Sequence, residues 1–444
     1  MLIRFNVSNF LSFRDETEFN MLTGSFRNHE HHIYHAGKVN VLKGAAIYGA
    51  NGAGKSNLIK AIHLLQKSVV QGSIPRLLNE KKFKLDKRYQ DEPTSMEIEF
   101  SVDNTIYSYG MSFNNNIILE EWLYESGINI DDKLIFERTT DGSNTSIKVA
   151  NKYQKTQKGK VLIEVLSDLL GPNELLISKA KSLNVEEIFE AKDWIEYSLL
   201  ILYPDSKYSG LILNLSGSKE FRQFTNELLQ TFDTGVNALN IQQVDFDKYF
   251  GDDDDDLKKE ILEDLNEDGG IVFTDKSGGI YISMKNGKIV VEKVISVHKD
   301  SDNRDINFEL EEESDGTLRL LDFIPAFANI LQSKSTLIID EIDQSLHPSL
   351  LNSLVTKIMG DKTSKGQFIF TTHESNLLDL KIFRQDEIWF AEKDKKSGST
   401  QLYPLSDFKP RNDLDIRKGY LNGRFGAIPF LTHLEDLNWQ THGT

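Results

Sequence analysis

Among its 444 residues the chain has no cysteine. Disulfides and thiolate-based zinc sites are thereby excluded, and a reducing cytoplasm is compatible with the sequence. Long apolar runs are missing too: no stretch approaches the roughly 18 residues of a membrane-spanning helix. The opening Met1-Leu2-Ile3-Arg4-Phe5-Asn6-Val7 alternates like a strand and lacks the basic start and cleavage site of a secretory signal. A soluble cytoplasmic protein without membrane contact is expected. Positive charge is short as well, with 51 Lys and Arg against 68 Asp and Glu, a net charge of -17. That balance argues against a surface coated for nucleic acid, though it leaves room for a local basic groove. The acidity is uneven. From Asp252 to Asp268 the chain carries ten acids, five of them the run Asp252 to Asp256, against Lys258 and Lys259. Such a run is expected to be a solvated loop.

A hydrophobic content of 39% is enough for one large domain or two ordinary ones with real cores. Strands are predicted at Leu2–Val7, near Glu18–Met21 and within Val39–Tyr48. A helix with Leu58, Ile59, Ile62 and Leu65 on one face follows at Asn57–Gln66. Met96, Ile98, Phe100 and Val102 alternate, Asp103-Asn104 turns, and Ile106–Phe113 returns, which predicts a hairpin. Further strands are expected at Ile117–Tyr124 and Lys133–Arg138. Between Lys152 and Gln243 the period becomes helical, most clearly at Val185–Leu202 and Lys219–Phe232; the heptads are too irregular for a long coiled-coil arm. Strands resume from Gly270 to His298, with a turn at Asn286-Gly287. The pattern divides the chain into residues 1–150 and 269–444, two halves of one α/β nucleotide-binding unit, and 151–268, a helical insertion with its acidic linker. No internal repeat is present.

Four short stretches carry the chemistry. Gly49-Ala50-Asn51-Gly52-Ala53-Gly54-Lys55-Ser56 fits the phosphate-loop pattern G-x-x-x-x-G-K-[ST], between an apolar strand and a helix. Polyphosphates need many donors aimed at one spot, which main-chain N–H groups of a glycine-rich loop at a helix start provide. The backbone from Gly49 to Asn57, with Asn51, Gly52, Ala53 and Gly54, is expected to cradle ATP. Lys55 would reach its β and γ phosphates, and Ser56 would bind Mg2+. The second stretch, Thr336–Ile339, ends in Asp340 and Glu341. Asp340 is expected to hold Mg2+ through water, and Glu341 to polarise the attacking water as general base. A third strand, Gly366–Thr372, delivers His373, placed to contact the γ phosphate. Finally, Glu313-Ser314-Asp315-Gly316-Thr317 precedes a predicted helix at Leu318–Leu331. Ser314 and Gly316 could grip a phosphate there, or serve only as a helix cap. One chain's phosphate loop and this signature cannot face the same nucleotide, so the expectation is a homodimer or higher oligomer with ATP sandwiched between copies.

Asn9-Phe10-Leu11-Ser12-Phe13 resembles the opening of RecF, SMC and OLD-type ATPases. Asp340-Glu341-Ile342-Asp343-Gln344-Ser345-Leu346-His347-Pro348 and the tail Gly423-Arg424-Phe425-Gly426-Ala427-Ile428-Pro429 are similar to AAA-annotated, ABC-type ATPases of bacterial antiphage defence, the RloA/AbiLi group and the ATPase of PARIS systems. The resemblance implies an ABC-type P-loop ATPase head, ATP-dependent dimerisation, a separately encoded effector such as a TOPRIM-type nuclease, and a phage protein as trigger. It also implies a phosphate or cross-interface contact for Arg14, and it offers Gln90 as one candidate for the Q-loop. Asp315 stands where the usual Leu-Ser-Gly-Gly signature has its first glycine. The acids after Phe383, Asp386, Glu387, Glu392 and Asp394, lack the spacing of a TOPRIM domain, so no intrinsic nuclease is expected. The competing reading is a RecF- or SMC-like DNA-binding ATPase of repair or maintenance; a scaffold with slow turnover is a third.

His29, His31, His32 and His35 fall within one segment with few carboxylates nearby, and are expected to form a polar loop rather than a metal site. Trp194 and Tyr197 are expected to pack in the insertion's core rather than to stack on bases.

Overall fold

The computed structural model describes residues 1–75, 81–115, 117–127, 131–142, 144–155, 157–179, 185–207, 210–251, 255–268, 270–273, 279–285, 287–411 and 413–428. Asp252 to Asp254, Asn286 and Pro429 of the motifs above lie outside them. At the centre is a six-stranded sheet. Its strands are β1 (Gly44–Tyr48), β2 (Leu199–Leu202), β3 (Thr336–Ile339), β4 (Gln367–Thr371), β5 (Ile388–Lys393) and β6 (Thr400–Pro404), in the order β2-β3-β4-β1-β5-β6. The first five run parallel and β6 returns antiparallel to β5. Every residue of β1, β3 and β4 is buried, as suits parallel strands covered on both faces. Helix α1 (Lys55–Gln71) follows β1, α2 (Asp315–Gln332) precedes β3, and α3 (Pro348–Met359) connects β3 to β4.

A seven-stranded antiparallel sheet packs beside it. Its order is Asn144–Val149, Lys133–Asp141, Ile117–Glu125, Thr105–Asn114, Thr94–Val102, Leu2–Ser8 and Thr17–Asn20. The predicted hairpin is there, closed by Val102 opposite Thr105 with Asp103 at φ +49. A third sheet pairs Lys288–Lys299 with Ala238–Asp245 on one side, and with Ile280–Lys285 and Asp305–Glu309 on the other.

The predicted helix at Val185–Leu202 needs correction. Helix covers only Glu186–Asp193, a π turn spans Trp194–Ser198, and Leu199–Leu202 becomes β2. Four consecutive apolar residues carry no period, and pairing with β3 decides their conformation. The stretch Ala238–Asp245, also within the predicted helical region, is a strand as well. Trp194 is buried and stacks on Phe100 of the seven-stranded sheet, with ring centroids 4.2 Å apart. Tyr197, by contrast, is 68% exposed and belongs to no core.

Gln367 fastens the two larger sheets. Its buried amide nitrogen donates to the Leu2 and Leu42 carbonyls at 2.9 and 2.8 Å, and its oxygen accepts from Leu2 N–H at 2.8 Å and the Thr336 hydroxyl at 2.9 Å. All four polar capacities of the side chain are used. Gln367→Leu preserves volume yet strips two buried carbonyls of their amide donor. We expect a loss of about 2–5 kcal/mol in unfolding free energy by urea denaturation. A loss below about 1 kcal/mol would contradict the fastener role.

Candidate nucleotide site

The loop after β1 is shaped by what presses on it. Gly49 has no room for a side chain, since a Cβ there would stand 2.4 Å from the Ala391 carbonyl of β5. Gly54 caps α1 at φ +109, and a Cβ would meet the Thr400 hydroxyl at 2.1 Å. That hydroxyl donates to the Ala53 carbonyl at 2.8 Å and is linked to the Ser12 hydroxyl at 2.7 Å, which in turn accepts from Asn57 Nδ2 at 2.7 Å. The start of β6 and the turn after the first strand of the chain thus hold the loop from outside.

Opposite the loop stand the acids. Asp340 is buried at the end of β3, where it accepts from the Ser56 hydroxyl at 3.1 Å and the Thr371 hydroxyl at 2.6 Å. The Thr371 hydroxyl also accepts from the Glu341 N–H at 2.8 Å. Glu341 sits at φ +52, in the left-handed region that a non-glycine residue occupies at a cost of about 1–3 kcal/mol. This turn brings its side chain to the same cavity as the loop. His373 follows β4, and its N–H is received by the Asp343 carboxylate at 3.2 and 3.3 Å. Its ring Nε2 lies 3.2 Å from Lys55 Nζ, which donates to the Gly49 carbonyl at 2.8 Å. Burial lowers Lys55 to about 8, against the pull of Asp343, Asp340 and Glu341, and burial with the Lys55 charge also lowers His373.

A cavity of about 370 Å³ is lined by residues 51–57 with Glu341 and His373. Asn51, Gly52, Ala53, Gly54, Lys55, Ser56 and Asn57 therefore surround one space; Gly49 contributes its carbonyl to Lys55, and Asp340 reaches it through Ser56. Ser314 and Gly316 are elsewhere. Ser314 caps α2, accepting from Thr317 N–H at 3.2 Å, and Gly316 faces the Ser345 carbonyl. Arg14 does not reach the cavity. Its guanidinium pairs with Asp15 at 2.7 Å beside a separate cavity of about 750 Å³. Gln90 is likewise remote, its amide donating to the Phe83 carbonyl at 2.7 Å. Reading the motifs missed Ser12, Thr371 and Thr400. Thr371 had a signal, the polar end of an apolar strand two residues before His373; Thr400 had none.

This is the phosphate-binding edge of a P-loop nucleotide-binding fold. The sequence model of the family described as "AAA domain, putative AbiEii toxin, Type IV TA system" matches residues 45–379, well over half of the chain, and the chain belongs to that family. No curated protein matches it. Solved structures similar to it include the SMC head domain from Thermotoga maritima, at 11% identity and TM-score 0.37, covering 91% of this chain and 98% of that one. An Smc head bound to the C-terminal winged-helix domain of ScpA has 13% identity and TM-score 0.42 over 92% and 99%. An Smc head with an extended coiled coil bound to the C-terminal domain of ScpA, from Pyrococcus furiosus, has 12% identity and TM-score 0.38 over 92% and 97%. Among the described residues no helix is long and apolar enough to cross a membrane.

Lys55 generates a pH prediction. Its amine is charged below about 8, and a bound polyphosphate is expected to hold that charge to higher pH. In that window binding takes up a proton, so ATP affinity falls as pH rises, by about tenfold per unit at most. Titration calorimetry in buffers of different ionisation enthalpy measures the uptake. Affinity that stays flat from about pH 7 to 9.5 would refute it.

Proposed function

We infer that this chain is an ATPase that binds and hydrolyses ATP with Mg2+ between two copies of itself, and that it senses or regulates an abortive-infection-type defence against phage through a separately encoded effector. The observation that carries the ATPase part is the convergence of Lys55, the Ser56–Asp340 pair, Glu341 and His373 on one cavity. In this reading Lys55 neutralises the β and γ phosphates, while Ser56 and Asp340 hold Mg2+, Asp340 by way of water. Glu341 orients and deprotonates the attacking water, and His373 reads the presence of the γ phosphate. Ser314 and Gly316 of a second copy would close the site over the nucleotide. Residues 1–150 and 269–444 are the two halves of the head, and 151–268, apart from β2, the insertion. The defence role is supported by the family's description, which names an abortive-infection toxin and a type IV toxin–antitoxin system. A TOPRIM-type effector and a phage trigger rest on the resemblance of the acidic and tail motifs.

Lys55→Ala is expected to weaken ATP binding at least a hundredfold. Glu341→Gln should bind ATP normally and hydrolyse it about 10²–10⁴-fold more slowly. Equal turnover in Glu341→Gln and the wild type would remove Glu341 as the base. Tagged Glu341→Gln protein recovered from its host with and without phage tests the biological role. A nuclease-like partner held before infection and altered after it supports the regulator. Chromosomal DNA with repair factors, indifferent to phage, sinks it in favour of DNA maintenance.

A further inference from the structure

At the opposite end of the central sheet, about one strand length or 16 Å from the phosphate loop, lies a cluster that the nucleotide chemistry does not use. His29, His31 and His32 each present a ring nitrogen, and the three atoms lie within 4.8 Å of one another. The rings interlock: His29 stacks on His32 with centroids 4.9 Å apart, and His31 meets His32 edge-on at 4.4 Å. His35, their neighbour in sequence, turns away to Asn40. The expected polar loop is thus partly a buried one, with His32 enclosed.

Each of the three rings has one nitrogen bound to an oxygen from a distant segment. His29 Nε2 meets the Leu380 carbonyl at 2.9 Å, His31 Nε2 the Met359 carbonyl at 3.2 Å, and His32 Nδ1 both Glu387 carboxylate oxygens at 2.9 Å. An imidazole that donates to a carbonyl or carboxylate keeps its other nitrogen as a lone-pair donor, the arrangement found around metal-binding histidines. Glu387 is fully buried directly before β5, where its carboxylate also accepts from the Arg384 N–H at 2.8 Å. A cavity of about 20 Å³ beside His31 and His32 has room for one water.

We propose that His29, His31 and His32 bind a divalent transition metal of the zinc class, with Glu387 as the carboxylate behind His32 and a water as fourth ligand. Without cysteine in the chain, imidazole is the donor that suits such an ion. Tetrahedral zinc, with bonds of about 2.0–2.1 Å, holds nitrogens about 3.3 Å apart. The rings need close by no more than about 1.5 Å, within reach of side-chain torsions. The ion would fix the three rings whose other nitrogens already join this segment to Leu380, to Met359 at the end of α3 and to Glu387 before β5. It is a staple of the fold and does not depend on the ATPase reading.

The test uses the full chain, stripped with chelator and titrated with Zn2+ and separately with Co2+. Asp340→Asn serves as background, to remove the Mg2+ position. One equivalent of metal should bind, cobalt should show the intense visible absorption of a tetrahedral site, and zinc should raise Tm. His29→Gln, at the less buried histidine, should lose the cobalt spectrum and the zinc-dependent rise in Tm while still binding ATP. Absence of a tetrahedral spectrum in the Asp340→Asn chain overturns the proposal, whether or not the histidine variants fold. So does a spectrum that survives in the His29→Gln, His31→Gln double variant.

Discussion

The parallel register of β1, β3 and β4 is the constraint on which the rest depends. Ile339 lies beside Phe370, and Phe370 beside Ala46, so the three strands end together at one edge of the sheet. From that edge the chain releases the phosphate loop, the pair Asp340-Glu341 and His373 as neighbours. A slip of one residue would turn Asp340 to the other face and separate it from Ser56. All three strands are apolar and buried on both faces, so burial enforces the alignment that the polar ends then use. Polar groups finish the fit at single points: the Thr371 hydroxyl serves both acids, and the Thr400 hydroxyl holds Ala53.

The residues that gather at the cavity were legible in the sequence where a local pattern marks them. Lys55 and Ser56 lie in a loop whose glycines are demanded by close contacts, and Asp340 and Glu341 interrupt an apolar run where a strand must end. What could not be read was set by partners remote in the chain. Ser12 and Thr400 are ordinary residues until folding brings them together at the loop. Leu199–Leu202 looks helical because four apolar residues have no period, and only β3 makes them a strand. The oxygens that surround His29, His31 and His32 belong to Met359, Leu380 and Glu387, so no spacing within the histidine segment could reveal them. Arg14 stands apart from the cavity within one chain, paired with Asp15.

Within one chain neither Ser314 nor Gly316 lines the cavity. Ser314 and Gly316 sit at the start of α2, away from the phosphate loop, and Gly316 faces the Ser345 carbonyl just beyond Asp340 and Glu341. Glu313, directly before them, is bound by His298 at 2.6 Å, so the third sheet is joined to the signature turn.

The most direct test of the account is the mass of the Glu341→Gln chain by light scattering, with Mg2+ and either ATP or no nucleotide, beside the same chain carrying Ser314→Arg. The account predicts a two-chain mass with ATP, a one-chain mass without it, and a one-chain mass for the Ser314→Arg form even when ATP is bound. A one-chain mass for ATP-bound Glu341→Gln, or an undiminished ATP-dependent dimer after Ser314→Arg, would contradict the shared site.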